Sequence, residues 1–215
     1  MRLRRGGVVL KQAVILVGGL GTRLGEMTRL VPKPLLEVAG KPFLDYILDE
    51  LSRYPTIQDI VLLAGHQAGQ VVDRYGGRRW RGAAVSVVSE PAQLGTGGAL
   101  KHAAARLDDK FLLLNGDSFF DFNILDLAAT AQSPAIVRVA LKKDHAGDRY
   151  GRVLLDKDFI KTFLPAGAQP NGPINSGVYC VDREILSFID DLPCSLEQAV
   201  FPAPCRKRAV AGKFI

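Results

Sequence analysis

Glycines and cations cluster near the start of the chain in a pattern that suits a phosphate chain. The segment Val17-Gly18-Gly19-Leu20-Gly21-Thr22-Arg23 follows an apolar run, and Lys33 stands between two prolines further along. A glycine has no Cβ, so backbone N–H groups beside it can approach a phosphate closely. The forked guanidinium of Arg23 and the ammonium of Lys33 would add donors and positive charge. The alternative is a tight strand-to-helix turn that carries two surface cations.

A carboxylate follows another apolar run. Asn115-Gly116-Asp117 comes directly after residues 111–114, which are all apolar. A hard oxygen ligand at the carboxyl end of a strand is what a phosphate-bound Mg²⁺ would use. Asp117 is therefore a candidate metal ligand, and an Asx turn that ends the strand is the alternative.

A third loop, Glu90-Pro91-Ala92-Gln93-Leu94-Gly95-Thr96-Gly97-Gly98, is again rich in glycine. This loop could fold over a flat base, with Glu90 at the edge of the ring. Guanine offers two adjacent donors that one carboxylate accepts together, whereas uracil is matched better by an amide. Glu90 therefore favours guanine, and a solvated carboxylate at the rim is the alternative.

Four continuous apolar runs precede the loops and indicate buried parallel strands. These runs are residues 13–17, 60–64, 84–88, in which Ser86 is the one polar residue, and 111–114. Helical spacing lies between them, for example at Val71, Val72 and Tyr75. The alternation predicts an α/β fold, a Rossmann-like three-layer sandwich around a mostly parallel central sheet. Ligands of such sheets bind outside the carboxyl ends of the strands, where the three loops begin.

The pattern changes after about residue 134. Residues 135–142, 151–155 and 177–181 are predicted strands with fewer helices between them. This half should supply mixed or antiparallel strands and one wall of a cleft. We expect one domain over residues 1–215, with a nucleotide-binding half of about 1–134 and a second half of about 135–215.

The composition excludes several classes of protein. The chain has 215 residues, of which 47% are hydrophobic and 23% charged, with a net charge of +6. These values are ordinary for a globular protein, and no run approaches the roughly 20 apolar residues of a membrane helix. Three cysteines without paired spacing indicate free thiols, so we expect a cytoplasmic protein that does not bind membranes. The charge suits an anionic ligand, and no aromatic–basic stripe indicates nucleic acid.

Taken in order, the three loops resemble those of the sugar-nucleotide pyrophosphorylases, the nucleoside-triphosphate:sugar-1-phosphate nucleotidyltransferases. The resemblance is carried by Gly18-Gly19-Leu20-Gly21-Thr22-Arg23-Leu24 with Pro32-Lys33-Pro34, by Leu94-Gly95-Thr96-Gly97-Gly98-Ala99 and by Asn115-Gly116-Asp117. It is co-linear and covers nearly the whole chain. Within the family, residues 115–121, Arg149-Tyr150-Gly151 and Ser195-Leu196-Glu197-Gln198 are most similar to the D-glycero-α-D-manno-heptose 1-phosphate guanylyltransferases.

The resemblance implies the fold of the nucleotide-diphospho-sugar transferases and a reaction in which a sugar-1-phosphate oxygen attacks the α-phosphorus of GTP while pyrophosphate leaves. Catalysis would rest on positioning and charge neutralisation, since no covalent intermediate forms. The product would be GDP-heptose for bacterial capsule or lipopolysaccharide. Mannose 1-phosphate or another sugar 1-phosphate is an alternative acceptor, and a nucleotide-binding protein with weak or no catalysis is a further alternative. The resemblance also implies a homo-oligomer, a dimer or higher.

Matching positions in the family give each candidate residue a role. The implied catalytic residues are Arg23, Lys33 and Asp117, with Asp117 also holding Mg²⁺, the implied cofactor. The residues that would hold GTP are Val17, Gly18, Gly19, Gly21, Thr22, Arg23, Glu90, Gly95 and Thr96. Those that would line the sugar-phosphate pocket are Asn115, Lys142, Gly151, Asn175 and Glu197.

Two features depart from the family's pattern. Relatives carry a Glu-Lys pair whose lysine contacts the sugar phosphate, and this chain has Pro165-Ala166 at that point. We therefore expect Lys142 or Lys143 to supply the cation. Relatives also continue past a Phe-Ile pair into an Asp-Ile-Gly segment whose aspartate is the second metal ligand, whereas the sequence given ends at Ile215. We therefore expect one metal carboxylate to be missing from the sequence as given.

Overall fold

The computed structural model describes residues 9–19, 21, 25–129, 135–143, 150–168 and 172–215. Its strands, in chain order, are β1 (Gln12–Leu16), β2 (Glu37–Val38), β3 (Lys41–Pro42), β4 (Asp59–Ala64), β5 (Arg79–Trp80), β6 (Ala83–Ser89), β7 (Lys110–Asn115), β8 (Val137–Lys142), β9 (Arg152–Asp156), β10 (Phe159–Leu164), β11 (Ile174–Asp182) and β12 (Val210–Phe214). Within the described ranges, β2 and β3 form a small separate ladder and the other strands form one ten-stranded sheet.

Short helices connect the strands. The described ones are α1 (Met27–Leu30), α2 (Phe43–Leu51), α3 (Ala68–Tyr75), α4 (Gly95–His102), α5 (Leu125–Ala129) and α6 (Pro202–Arg206). Turns of 3₁₀ helix span Lys33–Leu35, Ala104–Arg106 and Arg183–Phe188, and one π-helical turn spans Leu196–Val200. In α3, Val71 and Tyr75 are buried as predicted, but Val72 is exposed because adjacent helical residues point in different directions.

The first half of the sheet is parallel. Strand β1 lies between β4 and β7, and β6 extends the sheet beyond β4, with all four strands running the same way. The inner strands of this group are covered on both faces, which explains why their sequences are continuous apolar runs rather than alternating ones. Their carboxyl ends meet at one edge of the sheet.

The second half of the sheet is largely antiparallel. Strand β11 runs antiparallel to both β7 and β8, and β10 runs antiparallel to β9 and β12. Among the described strands of this half, only β12 and β8 pair in parallel. The expected α/β fold with a central sheet is confirmed, and the parallel pairing is concentrated in the first half, so the sheet as a whole is mixed.

The sheet separates two apolar layers. Alternate residues of β1 point to opposite faces, so Ala13 and Ile15 join one cluster while Val14 joins the other. The first cluster packs under α2, α3 and α5, and the second packs under α4, α6 and the turn that begins at Leu196. This arrangement is a helix–sheet–helix sandwich. None of the helices in the described ranges has the length and apolar content needed to cross a membrane.

Candidate active site

The predicted loops converge because the parallel strands end at the same edge. The Val17 N–H donates to the Leu63 carbonyl (2.9 Å), and the Gly116 N–H donates to the Leu16 carbonyl (2.9 Å). The Glu90 N–H donates to the Ala64 carbonyl at 2.8 Å. The backbone therefore holds the starts of all three loops side by side.

Two of the glycines sit where no side chain would fit. A Cβ at Gly18 would lie 2.7 Å from Oε1 of Glu90 and 2.8 Å from the Gly65 nitrogen. A Cβ at Gly116 would lie 2.6 Å from the Leu16 carbonyl oxygen. Gly19 is different, because nothing lies within 4 Å of its Cβ position. Packing thus explains Gly18 and Gly116, whereas the space beside Gly19 is open.

Glu90 is anchored within its own loop. The Leu94 N–H donates to Oε2 of Glu90 at 3.2 Å, while Oε1 faces Gly18 and Gly65. Burial raises the pKa of the Glu90 carboxyl above its ordinary value, although the Leu94 hydrogen bond works against that rise. The carboxylate is therefore fixed between the first and third loops.

Lys33 and Asp117 form an ion pair at the carboxyl edge of the parallel strands. Lys33 begins a 3₁₀ turn between Pro32 and Pro34, and its Nζ lies 2.6 Å from Oδ2 of Asp117. Both side chains are more than one-third exposed, with values of 37% and 44%. Such a pair contributes only about 0–1 kcal/mol, so a bound phosphate or cation could separate the two charges at little cost.

One cavity joins this ion pair to the second half of the chain. Its volume is about 990 Å³, and it brings together six residues predicted for the site, namely Lys33, Asn115, Asp117, Gly151, Asn175 and Glu197. An adjoining cavity shares Lys33, Asn115, Asp117 and Glu197 and adds Val17, Gly19 and Thr96. The two cavities form one cleft above the carboxyl ends of β1 and β7, with Asn115 and Asp117 at their junction.

The second half contributes a network of hydrogen bonds. The Asn175 Nδ2 donates to the Tyr179 hydroxyl (2.8 Å), and that hydroxyl donates to Oε1 of Glu197 (2.9 Å). Ser195 donates to the other carboxylate oxygen of Glu197 at 3.2 Å. Tyr179 is fully buried, and burial raises the pKa of its hydroxyl well above the ordinary value. The sequence analysis did not single out Tyr179. The available sign was a hydroxyl-bearing side chain within an otherwise apolar strand.

An irregularity in β11 places this network. The register of β11 against β8 shifts between Asn175 and Tyr179, and Gly177 between them has φ +75°. A Cβ at Gly177 would lie 2.6 Å from Nδ2 of Asn115. Glycine at this position therefore permits both the left-handed backbone and the close approach of Asn115.

The third loop also contacts the second half directly. The Leu196 N–H donates to Oγ1 of Thr96 at 2.8 Å, and the Gly97 N–H donates to the Cys194 carbonyl at 2.9 Å. Gly95 has φ +74° and packs against the same carbonyl, which leaves no room for a side chain. Gly95 and Thr96, predicted to hold GTP, therefore also join the loop to the segment that carries Glu197.

Lys142 is not brought to the cleft. In the antiparallel register Asn175 pairs with Leu141 and Ile174 pairs with Lys142, so Lys142 lies on the opposite face of the sheet from Asn175. Lys142 is exposed there and does not line the cavity. Lys143 does not line it either.

A buried arginine, Arg152, belongs to the cavity wall beside Gly151 but does not take the place of Lys142. Arg152 pairs with Ile174, as Lys142 does, so its side chain lies on the same face of the sheet as Lys142. It is 1% exposed and donates to the Gly172 carbonyl. Among the remaining predictions, Thr22, Arg23 and Arg149 lie outside the described residues.

The chain matches the nucleotidyl transferase family over residues 12–201 and belongs to that family. It is 33% identical over 177 residues to a D-glycero-alpha-D-manno-heptose 1-phosphate guanylyltransferase of Campylobacter jejuni, an alignment covering 82% of this chain and 78% of the relative. It is also 32% identical over 200 residues to a mannose-1-phosphate guanylyltransferase of Mycobacterium tuberculosis, covering 89% of this chain and 54% of the relative.

A solved structure has the same fold. HddC from Yersinia pseudotuberculosis, complexed with GMP-PN, superimposes with a TM-score of 0.81 at 27% identity, covering 96% of this chain and 91% of that one. The resemblance drawn from the three loops is thereby confirmed at the level of family and fold.

Proposed function

We propose that this protein condenses GTP with D-glycero-α-D-manno-heptose 1-phosphate to form GDP-heptose and pyrophosphate. The observation that carries the proposal is the single cleft in which the Lys33–Asp117 ion pair faces Asn175 and Glu197. Charged groups for a phosphate chain and hydrogen-bonding groups for a polyol lie side by side there. The similarity to heptose 1-phosphate guanylyltransferases supports the choice of acceptor.

In this proposal the first half binds the triphosphate. Backbone N–H groups around Gly18 and Gly19 would hold the phosphates, and Arg23 would neutralise the β- and γ-phosphates. Lys33 would leave Asp117 and stabilise the charge that develops as the sugar-phosphate oxygen attacks the α-phosphorus. The reaction is a direct displacement, so the protein acts by alignment and charge.

The residues present fit a magnesium ion. Within the described ranges no group of three or more His, Cys, Asp or Glu side chains could hold a metal. Protein side chains of the described residues would therefore supply only part of the coordination of such an ion. Mg²⁺ in phosphate-transfer sites is commonly held by one or two carboxylates together with substrate phosphates and water. Asp117 would hold it with the triphosphate, and the ion would then neutralise charge on the transferred phosphate.

The sugar would bind in the cleft and the base beside it, since Glu90 lines neither of the two cavities. Glu90 would accept the two adjacent donors of guanine, which requires the ionised form of this partly buried carboxyl. Within the cleft, Gly151, Asn175 and Glu197 would contact the sugar. Lys142 lies on the other face of the sheet, whereas Lys33 is a cation that lines the same cavity as these residues and would hold the sugar phosphate.

Two other functions have support. A mannose 1-phosphate acceptor is favoured by the similarity to the mycobacterial mannose-1-phosphate guanylyltransferase. A nucleotide-binding protein with weak catalysis is favoured by the shortage of metal ligands, since the described residues include no group of three or more His, Cys, Asp or Glu side chains that could hold a metal ion.

A pyrophosphate-release assay tests these proposals. We expect turnover with GTP, Mg²⁺ and heptose 1-phosphate, with lower kcat/KM for mannose 1-phosphate and for ATP, CTP or UTP. Higher kcat/KM for mannose 1-phosphate would show that mannose 1-phosphate is the acceptor. Absence of turnover with every sugar phosphate, together with tight GTP binding by calorimetry, would indicate a nucleotide-binding protein and overturn the proposed heptose 1-phosphate activity.

We further propose that residues 1–215 act as one nucleotidyltransferase domain in the cytoplasm and that the product serves capsule or lipopolysaccharide synthesis. The continuity of the sheet across both halves supports one domain. The three cysteines are free, which suits a reducing compartment. Size-exclusion chromatography with light scattering would test whether the protein is a dimer.

A further inference from the structure

We propose that Tyr179 is a positioning residue that orients Glu197 and Asn175 for the sugar phosphate, a role that rests on the proposed function. The two side chains it contacts both line the cleft. Tyr179 itself does not line the cavity and lies behind it, in the apolar layer under α4 and α6. It therefore acts on a ligand through its two neighbours.

The hydroxyl of Tyr179 connects two elements that lie apart in the sequence, strand β11 and the π-helical turn. Asn175 belongs to the irregular part of β11, and Glu197 belongs to the π-helical turn. Their link runs through a single oxygen, which accepts at 2.8 Å from Asn175 and donates at 2.9 Å to Glu197. Aromatic contacts with Phe201, whose ring centroid lies 5.7 Å away, hold the tyrosine ring in place.

The donors and acceptors in this network allow only one arrangement. The Gly177 N–H donates to Oδ1 of Asn175 at 3.1 Å, so the amide nitrogen must face Tyr179. The hydroxyl of Tyr179 has one proton, which goes to Oε1 of Glu197 because its acceptor side is taken by Asn175. A buried phenol remains neutral, so this donor persists at neutral pH.

The fixed orientation leaves defined groups for a ligand. Each carboxylate oxygen of Glu197 accepts one hydrogen bond inside the protein, from Tyr179 and from Ser195, and retains capacity for another. The Asn175 amide likewise has a second N–H. Without the phenol, Glu197 would gain rotational freedom and a ligand would have to order it on binding.

A tyrosine elsewhere in the protein provides a matched control. Tyr75 is also buried, at 1% exposure, and its hydroxyl donates to Oδ1 of Asp45 at 2.5 Å. That pair lies in the other apolar layer and does not line the cleft. Tyr75→Phe and Tyr179→Phe therefore each remove a hydrogen bond from a tyrosine hydroxyl to a carboxylate, and only the second change concerns the proposed site.

The experiment measures KM for each substrate in both variants. We expect Tyr179→Phe to raise KM for the sugar 1-phosphate about tenfold, the effect of one lost hydrogen bond to a charged group, while KM for GTP and kcat change less than about threefold. Tyr75→Phe should lower thermal stability and leave both KM values unchanged. An unchanged sugar-phosphate KM in Tyr179→Phe, or equal rises for both substrates, would overturn the proposal.

Two further measurements keep the result independent of folding and of the proposed reaction. If Tyr179→Phe folds poorly, Ser195→Ala removes the other donor to Glu197 and should raise the same KM by a smaller factor. A crystal structure of substrate-free Tyr179→Phe should show Glu197 displaced from its position beside residue 179. An unmoved Glu197 contradicts the positioning role even if no sugar phosphate is turned over, whereas absent turnover in the wild type contradicts only the proposed function.

Discussion

The two halves of the cleft are built by different means. In the parallel half, close backbone packing shapes the site, and glycines stand where a Cβ would collide, as at Gly18 and Gly116. In the antiparallel half, side chains do this work through the bonds of Asn175, Tyr179 and Glu197. Where close backbone packing shapes the site, as at Gly18 and Gly116, no side-chain atom can be added. A network of side chains can change its specificity by one substitution.

The largest effect should come from the charge at the junction of the two halves. Asp117→Asn removes the proposed metal ligand, and we expect kcat with Mg²⁺ to fall by at least about 10²-fold. Stability should change little, since Asp117 is 44% exposed and its bond to Lys33 is solvated. Steady-state assays and thermal melts measure the two quantities.

Asp73→Asn is the control for this change. Asp73 is an exposed aspartate of α3 that lies outside the cleft, so this variant should retain wild-type kcat. An Asp117→Asn protein with near wild-type activity would remove the metal role from this residue.

The next prediction separates packing from ligand binding within the first loop. A methyl group at Gly18 would lie 2.7 Å from Glu90 and 2.8 Å from the Gly65 backbone, so Gly18→Ala should lower the free energy of unfolding by about 1–3 kcal/mol. Gly19→Ala meets nothing within 4 Å and should leave stability within about 0.5 kcal/mol of wild type. Urea denaturation measures both.

At Gly19 we expect the substitution to affect activity rather than stability. If its open space is where the triphosphate lies, Gly19→Ala will raise KM for GTP despite its normal stability. A Gly19→Ala protein with normal stability and normal KM for GTP would mean that the triphosphate does not approach this residue.

The parallel half was largely predictable because its signals are local. Strands buried on both faces have continuous apolar runs, and loops that bind phosphates need glycine, so strands β1, β4, β6 and β7 and the loops that follow them could be identified from composition and spacing. The site residues Lys33 and Asp117, far apart in sequence, could be assigned to one site because loops at the ends of parallel strands share one edge, although their ion pair was not predicted.

The antiparallel half was less predictable because its contacts depend on register. Whether Lys142 faces the cleft is decided by pairing with Ile174, and a shift of one residue would reverse the answer. Tyr179 reaches Asn175 only through the irregularity around Gly177. Apolar periodicity places Tyr179 in the core and gives no sign of what its hydroxyl contacts.

A third prediction concerns the pH dependence of Glu90. We expect Glu90→Gln to raise KM for GTP about tenfold, since the amide cannot accept both guanine donors. In the wild type, KM for GTP should fall as pH rises through the elevated pKa of Glu90, because the ionised form binds guanine. The variant should lack this dependence.

Stability should respond to pH in the opposite sense. Burial raises the pKa of Glu90 in the folded state, so its contribution to stability is full below the pKa of the unfolded chain and is lost as pH rises through the folded value. Relative to wild type, Glu90→Gln should therefore gain stability as pH rises. A Glu90→Gln protein that loses stability relative to wild type as pH rises would contradict this assignment.

The smallest effect should come from the contact that joins the two halves. Thr96→Val keeps the shape of the side chain but leaves the Leu196 N–H without the acceptor that it has at 2.8 Å. We expect the free energy of unfolding to fall by about 1 kcal/mol, the cost of one unmade hydrogen bond. Thr96→Ser retains the hydroxyl and should stay closer to wild type in urea denaturation.

The kinetic effect of this variant shows whether the contact also serves the site. Leu196 precedes Glu197, so loosening it should raise KM for the sugar 1-phosphate even though Thr96 belongs to the first half. Equal stability of the valine and serine variants would mean that the hydroxyl is not needed. A stability loss without any change in the sugar-phosphate KM would mean that the contact holds the two halves together but does not set the position of Glu197.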